Sequence, residues 1–138
     1  MGTVLLATDA DWVYDQVDAA LADETTTVHR VRAGRMVLPA ALQLTPELVV
    51  LDSQIGNLGG IATSLALRQE EEMGRLAPLR IVILLDRHAD VFLAQMARAD
   101  GWLIKPVNSI RLRRAATTVL AGEGYHEGLE PAAVDAAG

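Results

Sequence analysis

Two aspartates and a lysine, far apart in the chain, stand where apolar runs stop: Asp9 just after TVLLAT, Asp52 closing ELVVLD, and Lys105 directly after GWLI. Carboxylates brought together supply the oxygen ligands that Mg2+ takes. Burying a lone carboxylate is expensive, so Asp52 must have a cation or hydrogen-bond donors at hand, and Lys105 is the natural partner. Pro106 follows it and biases the lysine backbone toward an extended conformation, which aims the ammonium back across the strand ends. Plainer readings stay open beside these: a strand-end carboxylate capping a loop for Asp52, a helix N-cap for Asp9, and a surface lysine before a turn for Lys105.

Convergence of three such residues needs a scaffold that collects strand ends. Four short apolar runs, at 3–8, 47–52, 80–85 and 101–104, are continuous rather than alternating, as in parallel strands covered on both faces. A fifth, TTTVHRVR at 25–32, is β-branched but mostly polar, which suits an edge strand. Helical segments separate the runs. Residues 10–23 place Val13, Val17 and Leu21 on one stripe, and ATSLALRQEEEMGRL and DVFLAQMARA behave similarly. SIRLRRAATTVL turns Leu112, Ala116 and Val119 inward and crowds Arg111, Arg113 and Arg114 into its first half. The alternation predicts an α/β, doubly wound, five-stranded parallel sheet over residues 1–121. Right-handed crossovers put every strand C-terminus on one edge, where such folds bind ligands. Residues 122–138 read as a flexible acidic Ala/Gly tail, too short and polar to fold alone, so no attached output domain is expected.

Composition removes several function classes. A chain of 138 residues, 51% hydrophobic, is one ordinary domain with a real core. Without cysteine there is no disulfide framework and no thiolate zinc site. A net charge of -6 argues against nucleic-acid binding. No apolar run is long enough to insert in a membrane and no signal peptide is legible, so a cytoplasmic location is expected. His29, His88 and His126 share no metal-ligand spacing, and the acidic run at 70–72 is a solvated helix face. No strand leads into a dinucleotide or Walker-type glycine motif, and ATDAD is a poor flavin-phosphate loop.

In ordered spacing, ELVVLDSQIGNLGGI and GWLIKPV resemble the receiver domains of two-component response regulators, across roughly residues 3–121. The resemblance implies a flavodoxin-like, CheY-like sheet of strand order 2-1-3-4-5. It also implies that Asp52 accepts a phosphoryl group from a histidine kinase or phosphotransfer protein and that Lys105 contacts the phosphate. Mg2+ would be held by Asp9, Asp52 and the backbone carbonyl of Gln54, and the loop glycine of the family aligns with Gly60. Such a domain is a signalling module rather than an enzyme.

Departures from the family pattern accompany the match. Receivers end the first strand with two acids, where this chain has Thr8-Asp9, leaving a weakened Mg2+ site for which Asp11 is a candidate substitute. The usual serine or threonine closing the fourth strand is Leu85, and the next position carries Asp86, whose charge repels an incoming phosphate. Without the hydroxyl, the usual coupling to the aromatic of the fifth strand, here Trp102, loses its first link.

The family contacts its targets through helix 4, strand 5 and helix 5, a face that here carries Phe92, Met96, Trp102, Arg111 and Arg114. Stand-alone, orphan receivers of this kind occur in actinobacteria, whose GC-rich coding suits the Ala and Arg content. Some are accessory subunits of large assemblies, a respiratory NADH dehydrogenase among them. Two readings are therefore carried forward: a phosphorelay receiver that binds an unidentified target protein, and a phosphorylation-independent pseudo-receiver serving a larger complex, peripheral to the membrane where that complex is membrane-bound. A small flavodoxin-like ligand binder ranks below both.

Overall fold

The computed structural model describes residues 2–56 and 59–128. In chain order the elements are β1 (Gly2–Ala7), α1 (Asp11–Leu21), β2 (Thr26–Val31), α2 (Val37–Leu44), β3 (Leu48–Asp52), α3 (Gly60–Glu72), β4 (Ile81–Leu85), α4 (Val91–Met96), β5 (Gly101–Ile104), α5 (Ser109–Leu120) and β6 (Tyr125–His126). Short 3-10 turns lead into α2 and α4. All strand pairs are parallel, in the order β2-β1-β3-β4-β5-β6. The expected doubly wound order 2-1-3-4-5 is present, with one strand added at the β5 edge.

Continuous apolar runs are explained by what each face meets. Alternate residues Leu5, Ala7, Val49, Leu51, Ile81, Ile83 and Leu85 pack against Val37, Ala41, Leu67, Val91 and Ala94 of α2, α3 and α4. Their neighbours Val4, Leu6, Leu48, Val50, Val82, Leu84 and Leu103 pack on the other side against Val13, Val17, Leu112, Ala116 and Val119 of α1 and α5. A polar residue in the middle of β3 or β4 would face one of these two cores, so neither strand alternates before its C-terminal end. In α1 the stripe runs from Val13 and Val17 to Ala20, which is buried, while Leu21 sits partly covered at the margin. Asn108 caps α5 by accepting a hydrogen bond from Arg111 N–H at 2.9 Å. Asn108→Ala is expected to lower stability by about 1 kcal/mol, read as a lower urea midpoint at unchanged slope.

Strand pairing continues past residue 121, into the stretch read as a tail. Tyr125 and His126 pair with Gly101 and Trp102 as β6, and Glu127 and Gly128 are also placed against the domain. The approach is possible because Gly101 has no side chain: a Cβ there would stand 2.8 Å from the carbonyl oxygen of Tyr125. The remainder of the expected tail, 129–138, lies outside the described residues.

Candidate functional site

Asp52 is the last residue of β3 and is 1% exposed. Three donors meet its carboxylate: Thr8 Oγ1 donates to Oδ2 at 2.7 Å, while Lys105 Nζ at 2.6 Å and the Gln54 N–H at 3.0 Å donate to Oδ1. The lysine comes from the loop after β5, its ammonium shared with Asp86 Oδ1 at 2.8 Å. Burial alone would lower the pKa of Lys105. Hydrogen bonds and attraction from Asp52 and Asp86 outweigh that, and the pKa stands above the ordinary lysine value. The resulting cluster is two carboxylates, one ammonium and one hydroxyl, with the ring of Trp12 at 5.7 Å from the ammonium on the solvent side.

Backbone packing fixes this geometry. Gly60 opens α3 so close to the end of β3 that a Cβ would lie 2.7 Å from the Asp52 carbonyl oxygen, which requires glycine there. Arg30 of β2 donates through Nε to the Thr8 carbonyl at 3.0 Å and through Nη1 to Asp11 at 2.8 Å, pinning the turn between β1 and α1. Asp11 is thereby resolved as a helix-start residue. It is paired with Arg30 and Arg32 outside the pocket, and hydrogen bonding to Arg30 holds its carboxyl below the usual range.

No family model matches the sequence. The chain is 30% identical over 105 residues to the nitrate/nitrite response regulator protein NarL of Escherichia coli (strain K12), covering 75% of this chain and 47% of NarL. The corresponding homolog from Haemophilus influenzae is 30% identical over 103 residues, covering 75% of this chain and 48% of its own length. The chain thus spans about half the length of these relatives. Among solved structures, a two-component response regulator of the LuxR family from Aurantimonas sp. SI85-9A1 aligns with a TM-score of 0.80 at 21% identity, over 100% of this chain and 99% of that one. The signal receiver domain of a histidine kinase from Syntrophus aciditrophicus aligns with a TM-score of 0.77 at 20% identity, over 88% and 92%.

The chain has the response-regulator receiver fold.

Within a receiver fold the pocket at the ends of β1, β3 and β5 is the acidic one that generally binds Mg2+. Here the donor set does not fit that ion. Both Asp52 oxygens are engaged by protein donors, Thr8 brings a hydroxyl and not a carboxylate to the end of β1, and Asp9 is exposed, its Oδ2 lying toward Gly56. Among the described residues no three carboxylates or imidazoles are grouped to hold a cation. Gln54 contributes its N–H to Asp52.

Leu85, the last residue of β4, is fully buried in the core against α4. Trp102 is 2% exposed, its indole N–H donating to the Glu127 carbonyl at 2.8 Å and its ring 4.3 Å from that of His126. Arg111 is engaged by Glu127, and Arg113 Nε reaches the Ala20 carbonyl at the end of α1. Arg114, Phe92 and Met96 are exposed.

Three participants were not singled out as such from sequence. Thr8 donates to Asp52, Asp86 shares Lys105, and Glu127 engages Arg111 and Trp102. Asp86 had a legible cue, since it directly follows β4, the strand beside β5, and therefore lies next to whatever follows β5. Glu127, in a Gly/Ala/Glu stretch, had none.

Proposed function

We propose that this chain is a receiver domain that works by binding another protein, with Asp52 clamped in its resting contacts so that partner binding, not phosphoryl transfer, is its default mode. One observation carries the reading: both oxygens of Asp52 are taken, and the lysine that would meet a phosphoryl group is divided between Asp52 and Asp86. An incoming phosphodonor must break the Thr8 contact, meet the charge of Asp86 and do so without a third acid to gather Mg2+. Charge-assisted hydrogen bonds of this kind contribute about 1.5–3 kcal/mol each, a large fraction of the coupling on which switches run. With leucine at position 85 there is also no hydroxyl to answer a phosphoryl oxygen. The binding surface includes the solvent side of α4, where Phe92, Leu93 and Met96 are all exposed.

A second reading rests on the Asp52–Lys105 pair itself, which is the pair a histidine kinase or phosphotransfer protein would act through. The two separate in one experiment: exposure of the purified protein to a small phosphodonor with Mg2+, followed by intact mass. The expected result is an unchanged mass. A gain of one phosphoryl group that disappears in Asp52→Asn would overturn the clamped reading in favour of the phosphorelay one.

A further inference from the structure

At the edge of β5, donors from β5, α5 and β6 surround the Glu127 carboxylate. Four donors converge on the Glu127 carboxylate: Arg111 Nε at 2.8 Å to Oε2, Arg111 Nη2 to Oε1, the Ile104 N–H at 2.9 Å to Oε1, and the Tyr125 hydroxyl at 3.3 Å to Oε2. The indole N–H of Trp102 takes the main-chain carbonyl of the same residue, and His126 lies on the indole face. Burial pushes the Glu127 carboxyl upward, yet Arg111 and the Ile104 N–H pull it below the usual range, as expected of a matched carboxylate pocket.

Most of this pocket is built without the segment that fills it. Arg111 is oriented by the Pro106 carbonyl at 2.6 Å, on the β5-to-α5 connection, and by the Ile104 carbonyl at 2.9 Å, at the end of β5 itself. By contrast the main-chain hold of the filling segment is slight. β6 is two residues long, and the flanking bonds from Tyr125 N–H to Asp100 and from Glu127 N–H to Trp102 are both 3.3 Å. Side-chain recognition, with glutamate as its anchor, therefore dominates over strand pairing. If Glu127 left, the Arg111 guanidinium and the Ile104 N–H would each lose a partner, and another carboxylate is the group that meets both donors at once.

We propose that the β5 edge with Arg111 is a docking groove for an extended acidic segment of another protein, and that Tyr125–Glu127 fills it as an internal ligand that the incoming segment displaces. The addition is of the edge-strand type, with main-chain pairing to β5 and the specificity supplied by one carboxylate. The groove works whether or not Asp52 is phosphorylated, so it extends the binding role without depending on the clamped reading. Because the internal ligand follows α5 by a short connection, its effective concentration is of millimolar order or higher, and the groove is closed to weak competitors.

The test uses the full chain and, as probe, the peptide acetyl-Gly-Tyr-His-Glu-Gly-amide, followed by the indole N–H resonance of Trp102 with that of Trp12 as internal control. In Glu127→Ala the Trp102 resonance is expected to shift and its hydrogen exchange to rise by about tenfold or more. The peptide restores it, binding this variant at least about tenfold more tightly than the wild type. A peptide with Gln for Glu, or the chain carrying Arg111→Ala as well, does not respond. If Glu127→Ala does not fold by circular dichroism, Glu127→Gln serves in its place. An unmoved Trp102 in the folded variant, equal peptide binding to variant and wild type, or no binding by about 5 mM peptide each overturns the proposal.

Discussion

Lys105→Met is expected to destabilise the domain by about 3–5 kcal/mol, measured by urea unfolding at neutral pH. Asp52 is 1% exposed and an ammonium touches its carboxylate at 2.6 Å. Methionine keeps most of the lysine stem and its packing beneath Trp12 but leaves two carboxylates, Asp52 and Asp86, without their shared cation. The loss is large because one partner of a buried pair is removed while the other remains in place. The control is Asp52→Asn added to Lys105→Met, which takes away the orphaned charge and is expected to recover more than half of the loss. Independent, additive losses would show that Asp52 and Lys105 do not act as a pair. Since the folded-state pKa of Lys105 is raised, the stabilisation it brings is complete below the ordinary lysine value of 10.5 and disappears as pH climbs through the higher folded value. The alkaline limb of the wild-type stability curve should therefore be steeper than that of Lys105→Met.

The meeting of Asp52 and Lys105 was legible because it follows from topology. Both lie at C-terminal ends of strands that read as buried on two faces, and right-handed crossovers leave those ends on one edge. Sequence patterning also announced β1 to β5, four as continuous apolar runs and β2 by its β-branched residues, and α1, α3, α4 and α5 by their apolar stripes. Residues 33–46 carried no helix signal of their own. The helix there, α2, is short and includes Pro39, tolerated because it falls in the first turn, where N–H groups have no intrahelical acceptor. β6 was illegible for a different reason: a two-residue strand has no periodicity, and what fixes it is a glutamate meeting an arginine sixteen positions earlier. The role of Thr8 was hidden because a hydroxyl in place of an acid reads as a missing charge. In three dimensions it is a donor that completes the shell around Asp52.

That exchange of an acid for a hydroxyl supplies the second large effect. Thr8 is fully buried, donates a hydrogen bond to Asp52 Oδ2 at 2.7 Å and accepts one from the Ala10 N–H at 3.1 Å. Thr8→Asp replaces the donor with a second carboxylate facing the first, with Asp9 next in sequence. In metal-free buffer the variant is expected to lose about 2–4 kcal/mol, from the lost hydrogen bond together with the repulsion of like charges sharing one site. Three acids at the ends of β1 and β3 form the oxygen-rich donor set that the natural chain does not, so Mg2+ should stabilise the variant selectively. At a hundredfold excess over its dissociation constant the ion would return about 2.7 kcal/mol, while the wild type, with Asp52 already satisfied, gains far less. Thermal melts of both proteins across a Mg2+ series, with Ca2+ as comparison, measure this directly. A folded Thr8→Asp protein whose melting temperature ignores Mg2+ would mean that the threonine is not what keeps the ion out, and that the clamp of Lys105 and Asp86 on Asp52 is sufficient by itself.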